Sequence, residues 1–227
     1  MIILIDLFGT LIPQESDIQT HETLSKLISI VHGFKDSWKD LYELYREALD
    51  YCGDSNKAVL ESYRKFIALN NVVPLYTYEE LVWLHSWIHI ETAKPYPDVE
   101  PFLNIVSKQY EIALVSDTFH DIARGILRYW NLDQFFNAII ATHSYGLAKP
   151  DPKIVELALK LLEKKSRRIV IIGDSYKDYE LAKNSSSYFI AIARSPKSME
   201  SFSSLNVPIA KNLIEAYEYI KKLELDL

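Results

Sequence analysis

The chain has 227 residues, room for a main hydrophobic core and a smaller second domain. With 48% hydrophobic and 25% charged residues it reads as a soluble globular protein, and no stretch approaches the ~20 consecutive apolar residues of a membrane span. The net charge of -6 argues against a nucleic-acid partner, and the single cysteine, Cys52, excludes an intrachain disulfide and fits a reducing cytoplasm.

The first element is Ile2–Ile5, an apolar run that ends at Asp6. It lacks the basic stretch and cleavage site of a signal peptide and reads as a buried strand. Residues 15–92 have no strand-like run and are rich in Leu, Tyr, Trp, Glu and Lys at helical spacing, so they are predicted to form an inserted helical domain. Asp17 or Ser16, Asp36 or Ser37, Asp54 or Ser55, and Thr77 are the expected helix starts, with Thr77 and Glu80 as a capping box. Its aromatic residues (Trp38, Tyr42, Tyr45, Tyr51, Tyr63, Trp83 and Trp87) are expected mostly in its core. Arg46 and Arg64 are candidate clamps for an anionic substrate. His85 and His89 are four apart but read as a polar helix face, with no spacing that proposes zinc.

Pro95, Pro97 and Pro101 mark the return to the first domain. Further apolar runs follow at Ile112–Val115, Ala138–Ala141, Ile169–Ile172 and Tyr188–Ile192. Helical patterns lie between them near Phe119–Tyr129, Lys153–Glu163 and Asp178–Asn184, and a last one near Leu213–Leu223. The basic run Lys164, Lys165, Arg167 and Arg168 reads as a solvated helix end. Strands alternating with helices predict an α/β fold with a doubly wound parallel sheet. Residues 1–14 and 93–227 are assigned to it, and residues 15–92 to the helical insert.

Ligands of open parallel sheets bind beyond the carboxyl ends of the strands. Four such ends carry polar groups: Asp6-Leu-Phe-Gly-Thr10, Ser116-Asp-Thr118, Lys149-Pro-Asp-Pro152 and Gly173-Asp-Ser-Tyr-Lys-Asp178. A carboxylate nucleophile, a hydroxyl, a lysine and an acidic pair meeting at one point suit phosphoryl transfer or a related displacement. Some of these residues also have structural uses. Thr118, Ser175 and the pair Asp151-Pro152 read as helix caps, and Asp178 suits a helix N-terminus.

The four segments, in this order and each after an apolar strand, resemble the motifs of the haloacid dehalogenase superfamily. The helical insert stands where that family carries a cap. The resemblance implies a Rossmann-like core and an enzyme in which Asp6 is the nucleophile, forming a covalent aspartyl intermediate. It implies Mg²⁺ held by Asp6, the Phe8 carbonyl and Asp174, with Asp178 as a direct or neighbouring partner. Ser116 would donate a hydrogen bond to the transferring group, and Lys149 would neutralise developing charge. Gly9, Thr10 and Asp117 are the expected substrate-side residues. Cap closure would hinge near residues 12–15 and 92–97.

Phe8 departs from the family's phosphatases, which usually place there a second aspartate that protonates the leaving group. The family's 2-haloacid dehalogenases resemble this chain in having an aromatic residue at that position. They are metal-independent, however, and lack the Gly173-Asp174 pair. A Mg²⁺-dependent phosphohydrolase of a small anionic substrate is therefore the first expectation. A metal-independent dehalogenase and a non-catalytic phosphate-binding protein are the alternatives. Asp117, His120 or a cap residue are substitutes for the missing acid. Neither the substrate nor the oligomeric state is readable.

Overall fold

Ile2–Ile5 is β-branched or apolar at every position, and all four side chains are buried, as a strand covered on both faces requires. In the computed structural model, which describes residues 1–164 and 168–225, this strand (β1) is central to a six-stranded parallel sheet. The others are β2 (Glu111–Ser116), β3 (Ala138–Ala141), β4 (Ile169–Gly173), β5 (Tyr188–Ile192) and β6 (Ile209–Ala210). The order is β3-β2-β1-β4-β5-β6, so the chain switches direction across β1, and Asp6 follows the strand at that switch. One sheet face packs Leu4, Val115, Ile171 and Ala191 with Ile154, Val155 and Leu181 in a continuous core.

The helices are α1 (Glu15–Val31), α2 (Trp38–Cys52), α3 (Ser55–Asn70), α4 (Tyr78–Thr92), α5 (Val99–Val106), α6 (His120–Tyr129), α7 (Lys153–Leu161), α8 (Tyr176–Asn184), α9 (Pro196–Phe202) and α10 (Leu213–Leu225). The fold is α/β, and the chain divides into two compact units, residues 1–13 with 94–227 and residues 14–93. The second holds α1–α4 around Leu24, Ile28, Leu41, Tyr45, Tyr63, Phe66 and Leu81. No helix among the described residues is long and apolar enough to cross a membrane. Lys165 and Arg167 of the basic run lie outside the described residues. Lys164 is exposed and pairs with Glu111 at 2.9 Å.

Several expected caps are present. Asp54 accepts from the Lys57 amide at 3.0 Å. Thr77 and Glu80 exchange bonds of 2.7 and 3.2 Å, completing the capping box of α4. The Asp151 carboxylate accepts from the Lys153 amide at 2.9 Å at the start of α7. Others differ. α1 starts at Glu15, before Ser16 and Asp17, with Gln14 at its cap position. Thr118 does not cap α6; the His120 amide donates instead to the Ser144 hydroxyl at 2.9 Å. Pro101 lies in the first turn of α5, where its missing N–H costs no helical bond.

The aromatic residues of the helical unit divide. Tyr45 and Tyr63 are core, whereas Trp83 is 62% exposed and stacks on Trp87 at 6.1 Å. Arg46 and Arg64 are exposed and paired with Glu43 and Glu61 of their own helices, so each guanidinium is already engaged. His85 and His89 are buried, not on a solvated face.

Candidate active site

Each predicted segment delivers its residues to the carboxyl side of the sheet. β1 ends at Ile5 and places Asp6, while the chain turns back immediately: the Leu11 and Ile12 amides donate to the Leu7 carbonyl at 2.8 and 2.9 Å. Gly9 takes φ +85 in this turn, a conformation that side-chain-bearing residues seldom adopt. Its bare Cα also faces Asp174 so closely that a methyl group would overlap the carboxylate. Gly173 meets Asp178 in the same way. The two glycines thus make room for the two acidic groups.

Lys149 is buried and donates from Nζ to Asp6 Oδ1 and to Asp178 Oδ1, the latter at 2.7 Å. Asp178 is only 1% exposed and does a second task. Its Oδ2 accepts from the Ser175 amide at 3.1 Å and the Ser175 hydroxyl at 2.5 Å, while its amide donates to that hydroxyl at 3.2 Å. The start of α8 therefore fixes this carboxylate rigidly, and Ser175 is the expected cap. Asp6, Asp174 and Asp178 each offer an oxygen within 4.8 Å of the others' oxygens, close enough to share one cation.

Burial pushes the Asp6 carboxyl well above the usual carboxylate range; Asp178 and Asp174 add to this, and the Lys149 ammonium opposes it. Asp174 is pushed up to about 6 by burial and by Asp178, against Lys149. For Lys149, burial works against the charge, but the carboxylates of Asp178 and Asp6 outweigh it and hold the ammonium above the ordinary lysine range. These opposed forces mark a site where carboxylates are crowded beyond what one lysine balances.

Asp117, expected to contact substrate or replace the missing acid, has its Oδ1 engaged by the Thr142 hydroxyl at 2.7 Å and the Lys149 amide at 3.0 Å. It positions the loop that carries Lys149, a use that sequence spacing cannot show. Thr10 is fully buried; its hydroxyl has no hydrogen-bond partner among the described residues, and its carbonyl accepts from Arg194 at 2.8 Å. Arg194 is held by both Asp98 oxygens at 3.1 Å and lies over Tyr96 at 3.7 Å. Thr10 thus supports the Asp6 loop through its backbone, and Arg194 is a supporting residue that no local motif announced. Ser116 ends β2, buried beside β3. Phe8 is half-buried in the turn two residues after Asp6.

A family model described as haloacid dehalogenase-like hydrolase matches residues 1–185. The chain is 28% identical over 199 residues to pyrophosphatase PpaX of Listeria monocytogenes, covering 87% of this chain and 85% of that protein. It is 28% identical over 185 residues to phosphoglycolate phosphatase of Aquifex aeolicus, covering 80% and 79%. Its fold is similar to that of 2-haloacid dehalogenase from Pseudomonas syringae pv. Tomato, with a TM-score of 0.73 at 19% identity over 98% of each chain. From the family match over most of its length and the fold, the chain belongs to the haloacid dehalogenase-like hydrolases and is an enzyme of that superfamily.

Proposed function

We propose that the protein is a Mg²⁺-dependent phosphohydrolase of a small anionic substrate, acting through a covalent intermediate on Asp6. The observation that carries this reading is the cluster of buried Asp6 and Asp178 and half-buried Asp174 beside Lys149. Three carboxylates against one ammonium leave an excess of negative charge in a buried place, which a divalent cation balances. The donors are all oxygen, which suits Mg²⁺. Asp6, Asp174 and the Phe8 carbonyl would hold it, with Asp178 beside them. Bound there, it would supply Lewis-acid polarisation of a phosphoryl oxygen.

In the proposed reaction an Asp6 oxygen attacks phosphorus, and the bond from phosphorus to the leaving oxygen breaks. Water then hydrolyses the acyl phosphate and regenerates Asp6. Lys149 holds one Asp6 oxygen, orients the other, and meets charge that develops on the transferring group. Ser116 would donate to that group. Phe8 transfers no proton, so good leaving groups, such as aryl phosphates, should react far better than alkyl phosphates. The relatives' names, a pyrophosphatase and a phosphoglycolate phosphatase, favour phosphate chemistry. The helical unit is read as the cap that selects the substrate.

Phe8 favours one second reading, a metal-independent 2-haloacid dehalogenase, because a halide leaves without a proton. The two are separated by assaying an aryl phosphate and 2-chloropropionate, each with Mg²⁺ and with chelator, beside Asp6→Asn. The proposal expects phosphate release that needs Mg²⁺ and falls at least about 10³-fold in Asp6→Asn. Chloride release in chelator, with no phosphate release under either condition, would replace it with the second reading.

A further inference from the structure

The helical unit contains a second cluster that the proposed reaction does not use. Asp17 and His21 are four residues apart on α1, and His85 and His89 are four apart on α4, so each pair lies on one helix face. The three histidines are 3%, 0% and 3% exposed. The Nε2 atom of His85 lies 3.0 Å from that of His21 and 3.1 Å from that of His89.

The outer nitrogens decide where the protons are. His21 Nδ1 lies 2.8 Å from the Asp17 carbonyl, which only accepts, so His21 donates there. His85 Nδ1 lies 2.8 Å from the Asn56 amide oxygen and donates there. His89 Nδ1 lies 3.3 Å from the Thr20 hydroxyl. The Ser16 carbonyl, 2.9 Å from the Thr20 hydroxyl, can take its proton, which leaves that oxygen able to accept from His89. Neutral imidazoles with protonated Nδ1 carry their lone pairs on Nε2. With Nδ1 protonated on each ring, three lone pairs face a single buried cluster whose ligand atoms all lie within 4.8 Å of one another, where they repel unless a cation joins them. Burial pushes the pKa of all three rings down, which keeps them in the neutral, ligating form.

We propose that His21, His85 and His89 form a transition-metal site suited to Zn²⁺, with the Asp17 carboxylate near its fourth position. Asp17 Oδ1 lies 3.8 Å from His89 Nε2, and its side chain is 37% exposed, so it connects the cluster to solvent. A tetrahedral Zn²⁺ with nitrogen ligands at 2.0–2.1 Å sets those nitrogens about 3.3 Å apart. The two observed edges to His85, 3.0 and 3.1 Å, need to open by only a few tenths of an ångström, and all three ligand nitrogens lie within 4.8 Å of one another. The rings are already oriented from behind, as metal-binding histidines usually are. Asn56 of α3 holds His85, and Tyr45 of α2 stacks on His21 at 4.0 Å. Nitrogen donors select Zn²⁺ over Mg²⁺, so this site and the oxygen-only carboxylate site take different ions. A bound ion joins α1 to α4, the first and last helices of the inserted unit.

The test is a titration of the chelator-treated full-length protein with Co²⁺ and then Zn²⁺, in excess Mg²⁺ to fill the carboxylate site. The site predicts the visible bands of tetrahedral, nitrogen-ligated Co²⁺, their displacement by one equivalent of Zn²⁺, and a Zn²⁺-dependent rise in Tm. Asp174→Asn should keep all three, and His85→Gln should lose them. Asn56→Ala, which leaves every ligand in place, should bind Zn²⁺ roughly 10–100-fold more weakly. Absence of tetrahedral Co²⁺ bands in the wild-type protein would overturn the proposal whatever the variants do. So would their survival in His85→Gln.

Discussion

Gly9 faces Asp174, and its missing side chain is as necessary to the site as the carboxylate's charge. Gly9→Ala forces a methyl group onto the Asp174 carboxylate and strains a residue at φ +85. It should cost about 1–3 kcal/mol of stability and weaken Mg²⁺ activation, measured by denaturant unfolding and by the Mg²⁺ dependence of turnover. Wild-type behaviour in both would show that the loop moves freely. Phe8 is the other telling residue. Phe8→Asp places a carboxyl group two residues after Asp6 and should raise turnover of alkyl phosphates by ~10²–10⁴-fold, with a smaller gain on aryl phosphates. Equal gains on both would mean that leaving-group protonation was never what Phe8 lacks. The four polar segments were legible because each comes after an apolar strand in the chain. The tasks of Asp117 and Arg194 were not, because each acts on backbone brought close only by the fold.

At the scale of elements, legibility followed the strength of the local signal. β1, β3 and β5 run as their apolar stretches predict, since strands buried on both faces leave continuous hydrophobic runs. β6 has only two residues and α9 seven, too short to show a period, and Pro101 hid α5. The capping box of α4 was written in Thr77 and Glu80. Thr77→Ala should cost about 1 kcal/mol, measured by chemical denaturation; no loss would mean that the α4 terminus is fastened otherwise. His32 gives a pH prediction. The Tyr63 hydroxyl accepts from the Leu75 and Tyr76 amides at 2.8 and 3.1 Å, so it donates its own proton to His32 Nε2 at 3.1 Å. Burial also pushes the His32 pKa below 6.5. The unfolded chain then binds the proton more readily than the folded one, so this residue's contribution to stability is present above about pH 6.5 and declines as the pH falls below it. An NMR titration should find the His32 midpoint below 6.5; a midpoint at or above it would contradict the reading.

For the molecule as a whole, sequence order revealed the α/β sheet and the helical insert but not what the insert gathers inside itself. His21 and His85 are 64 positions apart, and only the packing of α1 on α4 makes them neighbours. A lone pair of histidines four apart is too common a helical pattern to announce a metal site. The aromatic residues failed for a related reason, because a short helical unit has less interior than its many large side chains need. Trp83 and Trp87 are left outside, stacked on each other. The central claim remains that Asp6 is phosphorylated in turnover. It is tested most directly by mixing the protein with an aryl phosphate and Mg²⁺, quenching in acid within the first turnovers, and mapping the peptides by mass. The account predicts one phosphoryl group on the peptide carrying Asp6, absent in Asp6→Asn and absent with chelator. Steady phosphate release by an enzyme whose Asp6 peptide never carries that group would contradict it.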